Sequence, residues 1–332
     1  MGATMPAESG SLRVGVFGTG ALGRHHARIL GTLAGVERIG IFDPRQETVG
    51  TVAEETGAKA FESFDALAGA IDAAVIAAPT VAHAELGRKL LARGVHVLIE
   101  KPIAATLEEA DALIAAAAAA SRVLAVGHVE FHNPGVEALL GAGGAPRFVE
   151  VERLGVFSPR SLDVDVIADL MIHDLQILHE LDGSELAEVR ATGIAVLSER
   201  IDIVSARLAF ASGMVANVTA SRVSSERVRK LRAFYSDRYR SLDYQAQEIK
   251  GYRLVGAEDG GAERRIVPET IVVEKAEPLR RELEEFVRAC RGERSRSVSG
   301  ASARRALATA RVVAEEAKTA AARTISGASR PG

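Results

Sequence analysis

The chain has 332 residues, 47% hydrophobic and 26% charged, with a formal net charge of −3. That length allows two domains with separate cores, and that balance offers no overall field to recruit nucleic acid or an anionic membrane. A single cysteine, Cys290, excludes an internal disulfide framework and fits a reducing, cytoplasmic setting.

Residues 1–11 lack the apolar core of a signal peptide and read as a disordered leader; Pro6 stands where a myristoylation motif needs Ser or Thr. Strands are expected at 12–17, 36–42, 72–78, 96–100 and 122–127, separated by helical stretches such as 21–34 and 83–94. This βα repetition over residues 12–127 predicts a Rossmann-type, doubly wound parallel sheet with helices on both faces. The alanine-rich run at 112–120 is too short to span a bilayer.

From 128 to 325 the pattern changes to long consecutive strands at 147–157, 187–197, 204–213 and 214–223, then 230–235 and others to about Val273. The tetrapeptide at 211–214, ASGM, is expected to turn a hairpin. One helix at about 165–182 and two terminal helices, about 278–291 and 300–320, complete the pattern. A second α/β domain is predicted, with a large, open-faced, mostly antiparallel sheet covered by helices on one face. The bare face is expected to pair with another copy, giving a homodimer or homotetramer.

Gly18, Gly20 and Gly23 follow the first strand in G-x-G-x-x-G spacing and open the first helix. Gly18 permits the tight turn, Gly20 lets a phosphate approach the backbone, and Gly23 lets the helix pack on the strand. With Ala21 and Leu22 they present helix N–H groups and the positive end of a dipole to a pyrophosphate. Asp43 ends the second strand 20 residues after Gly23, placed to accept both hydroxyls of an adenosine ribose. That carboxylate favours NAD over NADP, and Arg45, which could offset repulsion of a 2′-phosphate, keeps NADP open. After the strand at 72–78, Pro79 shapes a turn, Thr80 could cap the next helix or touch the cofactor, and His83 falls near its first exposed turn; all three are candidate cofactor contacts.

Glu100, Lys101 and Pro102 end an apolar strand at the carboxyl edge of the sheet, where open α/β sheets bind ligands, so Glu100 and Lys101 are further candidate cofactor contacts. The strand and the proline hold the backbone under Lys101 rigid. In the second half, Asp169, His173, Gln176 and Glu180 fall on one helical stripe at spacings of four, three and four. Asp174 instead projects into the apolar arc, so it lies at a margin or is buried and needs a partner. The histidine and cysteine residues form no metal-ligand spacing.

The segments GTGALGRHHARIL, EKPIAATLEEA, GHVEFHNP, DLMIHDLQIL and EPLRRELEEFV together resemble the Gfo/Idh/MocA oxidoreductases, which pair a Rossmann domain with an open-faced α/β domain. The resemblance implies hydride transfer from a secondary alcohol of a sugar or cyclitol to a nicotinamide. It implies that Lys101 contacts the reacting hydroxyl, that His173 takes its proton, and that Asp169 positions substrate or the histidine, with active site and domain interface coinciding. The residue types suit these roles, since imidazole titrates near neutral pH and an ammonium stabilises an alkoxide.

GHVEFHNPGVEAL, FSPRSLDVDVIADLMIHD and NVTASRVSSERVRKLRAF are similar to a bacterial branch that oxidises the C3 hydroxyl of UDP-N-acetylglucosamine ahead of amination for lipid A-type glycolipids. For such a substrate Arg160 or Arg222 could hold the diphosphate, with His128 beside the sugar. The seven Lys/Arg between Arg222 and Arg240 read either as solvated strand faces, as a subunit contact or as part of that site. Where the branch has H-V-E-R-F-N-P, Phe131 and His132 follow Glu130, so the branch arginine is missing. Two rival functions remain: an inositol or free-sugar dehydrogenase, which needs no diphosphate site, and a non-catalytic dinucleotide sensor, which needs Gly18, Gly20 and Asp43 but not Lys101 with His173.

Overall fold

The computed structural model describes residues 10–157, 164–256 and 264–327. Six parallel strands form the first sheet: β1 (Leu12–Phe17), β2 (Val36–Phe42), β3 (Lys59–Ala60), β4 (Ala73–Ile76), β5 (His96–Glu100) and β6 (Leu124–Gly127). They alternate with α1 (Ala21–Leu30), α2 (Gln46–Thr56), α3 (Phe64–Ala68), α4 (Thr80–Leu91) and α5 (Leu107–Ala120). Their spatial order is β3-β2-β1-β4-β5-β6, the Rossmann order, which places its switch point between β1 and β4. β4 and β5 are buried at every position, as continuous apolar runs covered on both faces should be. The passage from Lys101 into α5 ends in a reciprocal cap. Thr106 Oγ1 accepts the Glu109 N–H at 3.2 Å, and the Glu109 carboxylate accepts the Thr106 N–H at 3.2 Å.

The second sheet has eight strands: β7 (Phe148–Leu154), β8 (Leu186–Ile194), β9 (Ile203–Phe210), β10 (Val215–Ser221), β11 (Val228–Phe234), β12 (Arg238–Asp243), β13 (Glu248–Val255) and β14 (Arg265–Glu269). Its order is β14-β13-β12-β11-β7-β10-β9-β8, antiparallel except where β7 lies parallel to β10. The expected hairpin joins β9 to β10, with Gly213 at φ +91, a conformation that suits glycine alone at little cost. Helices α6 (Pro134–Gly141) and α7 (Ile172–Asp182) accompany this sheet, and α8 (Pro278–Cys290) and α9 (Gly300–Gly327) close the chain.

Contacts divide the chain into two compact units, one running through Val129 and taking in Glu277–Arg304, the other holding Glu130–Ala276 and residues from Arg305 onward. The expected boundary at 127/128 left the helix at 278–291 in the second domain. Instead α8 puts Leu283, Phe286, Val287 and Cys290 into the same buried cluster as Leu12, Val14, Ile29 and Leu30, because its apolar stripe fits the first core.

The expected bare sheet face is mixed rather than uniformly apolar. Phe148, Phe234, Tyr239 and Tyr252 pair directly across β7, β11, β12 and β13, with successive ring centroids 5.6, 4.9 and 6.5 Å apart. Beside this row Arg232 reaches Glu150 at 3.5 Å and Glu152 at 3.1 Å. The basic run is likewise dispersed, since Arg222, Arg229, Arg238 and Arg240 each face a different acid.

The helix expected over 165–182 begins with a π-helical turn, Ile167–Met171, before α7 takes over. The extra residue in that turn breaks the 3.6-residue wheel, and π turns of this kind are concentrated at functional sites. From Ile172 to His179 α7 is buried on all sides, so His173 and Gln176 do not lie on a solvated face.

Candidate active site

The first unit carries a cleft of about 630 Å³ at the switch point, walled by Gly18, Gly20, Leu22, Asp43, Ala78 and Pro79 among others. The three glycines divide their work as geometry demands. A Cβ on Gly18, which sits at φ +103, would lie 2.5 Å from the Ala77 carbonyl oxygen, and one on Gly23 would lie 1.8 Å from that of Gly18. A Cβ on Gly20 would meet nothing within 4 Å, so that side stays open for a ligand. Helix α1 begins there with no acidic residue in its first turn, leaving its dipole and N–H groups to an anion. Ala21 and Leu22 are exposed at the same mouth.

Asp43 is buried at the end of β2 and accepts the Thr19 and Arg45 backbone N–H groups, each at 2.9 Å. The Arg45 guanidinium adds two contacts at 3.2 Å. Burial would raise this carboxyl, but the Arg45 and Thr19 hydrogen bonds outweigh it and hold it down at about 2. Asp43 is therefore a fixed anion facing the cleft, and Arg45 rests on it. An open cradle for phosphates, an apolar slot and an acid for the ribose together fit a dinucleotide.

Of the other expected cofactor contacts, Pro79 lines the cleft and several are internal. Pro79, not Thr80, is the N-cap residue of α4, and no side chain caps it, because the helix starts one residue earlier than a Thr80 cap requires. His83 is 1% exposed rather than on a surface turn; its Nε2 lies 2.9 Å from the Ala78 carbonyl oxygen and its Nδ1 2.9 Å from that of Pro102. Burial pushes this imidazole down against those carbonyls and Glu100. Glu100 is also internal, accepting a 2.7 Å hydrogen bond from His26 Nε2 and lying 3.3 Å from the Lys101 backbone N–H. Lys101 itself is half-buried at the sheet edge, and His128 is buried just past β6.

Near Glu100 lies a buried acid that sequence reasoning missed. Glu282 of α8 is 1% exposed, and neither carboxyl oxygen has a hydrogen-bond partner among the described residues. Burial and the neighbouring Glu100 push it well above the usual carboxylate range, so it holds a proton. The signal was available: Glu282 interrupts the stripe of Leu279, Leu283, Phe286 and Cys290. A raised folded value means that stability is full below the ordinary carboxylate range and declines as pH rises. The unfolded chain ionises there while the native one keeps its proton, at about 1.4 kcal/mol per pH unit. Glu282→Gln should remove that slope, so urea midpoints of variant and wild type should diverge from pH 5 to pH 8 in the variant's favour. Parallel curves would contradict a protonated Glu282.

In the second unit Asp174 finds the partner it was expected to need. Arg153 of β7, fully buried, grips it with two hydrogen bonds of 2.6 and 2.7 Å and reaches Glu130 at 2.8 Å. Tyr244 donates to Asp174 at 3.2 Å, and Arg229 reaches Glu130 at 3.1 Å. This network fixes the first turn of α7, from which His173, 8% exposed, projects, with half-buried Asp169 on the π turn before it. Phe131, at the position of the branch arginine, is 8% exposed and packs edge-on against His132 at 5.5 Å.

Arg222 is 7% exposed and committed to Asp202 at 2.7 Å, the Val164 carbonyl at 2.8 Å and Ser198 Oγ at 3.0 Å. Asp202 also accepts the N–H groups of Val196, Leu197 and Ser198. The expected diphosphate ligand is thus a brace between β10 and the loop after β8. Arg160 lies outside the described residues. Among the described residues no group of His, Cys, Asp and Glu is arranged to hold a metal, and no helix is long and apolar enough to cross a membrane.

Residues 12–128 match the family model described as an oxidoreductase family with an NAD-binding Rossmann fold. With a near-full-length relative as well, the chain belongs to the Gfo/Idh/MocA family and is an NAD(P)-dependent oxidoreductase acting on CH–OH groups. That relative is the UDP-N-acetylglucosamine 3-dehydrogenase of Acidithiobacillus ferrooxidans, 41% identical over 300 residues, 90% of this chain and 95% of the relative. A solved structure of the same enzyme superimposes with a TM-score of 0.86 at 39% identity, covering 93% of this chain and 98% of the other. Levoglucosan dehydrogenase in complex with NADH shares the fold, with a TM-score of 0.81 at 20% identity over 93% of this chain and 97% of that one.

Proposed function

We propose that this chain oxidises the C3 hydroxyl of UDP-N-acetylglucosamine, with NAD as the acceptor. The observation that carries this reading is the 41% identity maintained over 300 residues with an enzyme of that name. Bound nicotinamide supplies the hydride acceptor. Lys101 hydrogen-bonds the reacting oxygen and stabilises it as it becomes an alkoxide. His173 takes the hydroxyl proton as general base, and Asp169 orients the sugar or the imidazole. Asp43 supports NAD because a 2′-phosphate would meet its carboxylate, while Arg45 already rests on that carboxylate. Arg160 is the remaining arginine for the diphosphate, and the half-buried aromatic row, with Tyr252 exposed at its end, supports a homodimer or homotetramer.

A second reading, oxidation of a free sugar or cyclitol, is favoured by Phe131 and by the commitment of Arg222 to Asp202. The experiment pairs purified protein with NAD or NADP, with UDP-N-acetylglucosamine or myo-inositol, and with a carbonyl trap to draw the ketone off. The expected result is growth of reduced-nicotinamide absorbance with UDP-N-acetylglucosamine and NAD. Growth only with inositol would overturn the nucleotide-sugar, and growth only with NADP would overturn the ribose argument. NADH binding without turnover of any sugar would leave the sensor.

A further inference from the structure

Lys101 follows directly on β5, so the place from which its side chain starts depends on what holds the turn from Glu100 to Pro102. On one side the Glu100 carboxylate lies 3.3 Å from the Lys101 N–H and is itself held by His26 of α1 at 2.7 Å. On the other side the chain turns at Pro102, whose nitrogen has no hydrogen to donate. Its carbonyl is met by His83 Nδ1 at 2.9 Å. The same ring reaches, through Nε2, the carbonyl of Ala78 at 2.9 Å, and Ala78 with Pro79 forms a wall of the cofactor cleft. One imidazole therefore spans the exit of β4 and the exit of β5.

The geometry points to His83 as a positioning residue, which sets the turn carrying Lys101 against the wall of the cofactor cleft. This rests on the reading in which Lys101 acts on the reacting oxygen. A carbonyl oxygen only accepts, so each contact is a hydrogen bond when the facing ring nitrogen carries a proton. A neutral ring serves one of the two and an imidazolium serves both. Histidine suits the place because its two nitrogens lie on opposite flanks of a rigid ring, and buried carbonyls left unmet are costly. A reacting group misplaced by about 1 Å can lose about 10²-fold in rate, so the link to Pro102 is the one that matters for turnover.

Substitution can separate the two links. The amide nitrogen of an asparagine stands near the place of Nδ1 and can keep the bond to Pro102. That of a glutamine stands near Nε2 and can keep only the bond to Ala78, and phenylalanine keeps the ring with neither. The measurements are kcat on whichever sugar the wild type turns over, NADH affinity by fluorescence, and hydrogen exchange at the amides of Lys101, Ile103 and Ala104. His83→Asn should lose about threefold in kcat, and His83→Gln and His83→Phe about ten- to a hundredfold. Exchange at those three amides should quicken in the same order, with NADH affinity within about threefold throughout.

A merely structural histidine predicts a different result, in which losses follow the melting temperatures or NADH affinities of the three variants. That result, or equal exchange in His83→Asn and His83→Gln, would overturn the proposal. Exchange needs no substrate, so it decides the positioning role even if no tested sugar is oxidised. A Lys101→Ala control that retains full activity would sink the reading of Lys101 rather than that of the His83 link.

Discussion

Lys101→Ala should lower kcat about 10²–10³-fold while NADH affinity stays within about threefold. The separation follows from where the binding groups lie. Gly18, Gly20 and Asp43 belong to the first two βα units, and none of them depends on the Lys101 side chain. Lys101 stands at the end of β5, held by Glu100 and by the turn at Pro102, and in the proposed mechanism its target is the transition-state alkoxide. A group that acts mainly on developing charge lowers kcat more than it alters substrate binding when removed. His173→Ala should cost about 10²–10⁴, the usual contribution of a general base. If the two residues serve one hydroxyl, the double variant should lose much less than the product of the single losses, since groups acting as a unit are not additive. Steady-state kinetics of the two single variants and the double variant test this. A double variant at the full product would show independent roles, and a fully active single variant would remove that residue from the mechanism.

How much of this was legible beforehand depended on whether the deciding forces were local. β1, β2 and β5 fall where the apolar runs end in Gly18, Asp43 and Lys101, because a buried parallel strand and its turn are written in contiguous residues. β3 was missed, as its two residues, Lys59 and Ala60, are both exposed and carry no apolar signal. The glycine fingerprint and Asp43 were readable from spacing. The rest of Asp43, with Arg45 resting on it, was not, because side-chain direction is not a property of spacing. The π turn at Ile167–Met171 adds one residue that a 3.6-residue wheel cannot register. Arg222 illustrates the general difficulty. Sequence displays its charge but not Asp202, which meets it only because β9 pairs with β10. Asp174 was flagged as an acid in an apolar arc, yet nothing local named Arg153, 21 residues earlier on another element.

That buried pair yields the largest expected effect on stability. Arg153→Met should destabilise the protein by about 3–5 kcal/mol at neutral pH, the usual cost of removing one member of a buried ion pair. Two carboxylates lose their cation at once, since Arg153 serves both Asp174 and Glu130, and among the described residues Tyr244, Arg229 and the Asn133 amide remain beside them. The pH dependence gives the sign. In the wild type, burial raises the Glu130 carboxyl, but Arg153 and Arg229 outweigh it and hold it below the usual range. Its contribution is therefore full above the ordinary carboxylate value and is lost as pH falls through the lowered one. Without Arg153, burial dominates at Glu130, and acidification relieves the variant while it harms the wild type. The stability gap between the two should accordingly narrow from pH 7 toward pH 4, as followed by urea denaturation. Replacing the whole group by neutral partners, Arg153→Met with Asp174→Asn and Glu130→Gln, should recover most of the loss, because the cost lies in unmatched charge rather than in missing attraction. A triple variant as unstable as Arg153→Met alone would instead assign the loss to packing. Its activity is then informative, since the network holds the turn of α7 that carries His173, and on the proposed role of His173 a restored fold with a misaimed imidazole would still turn over slowly.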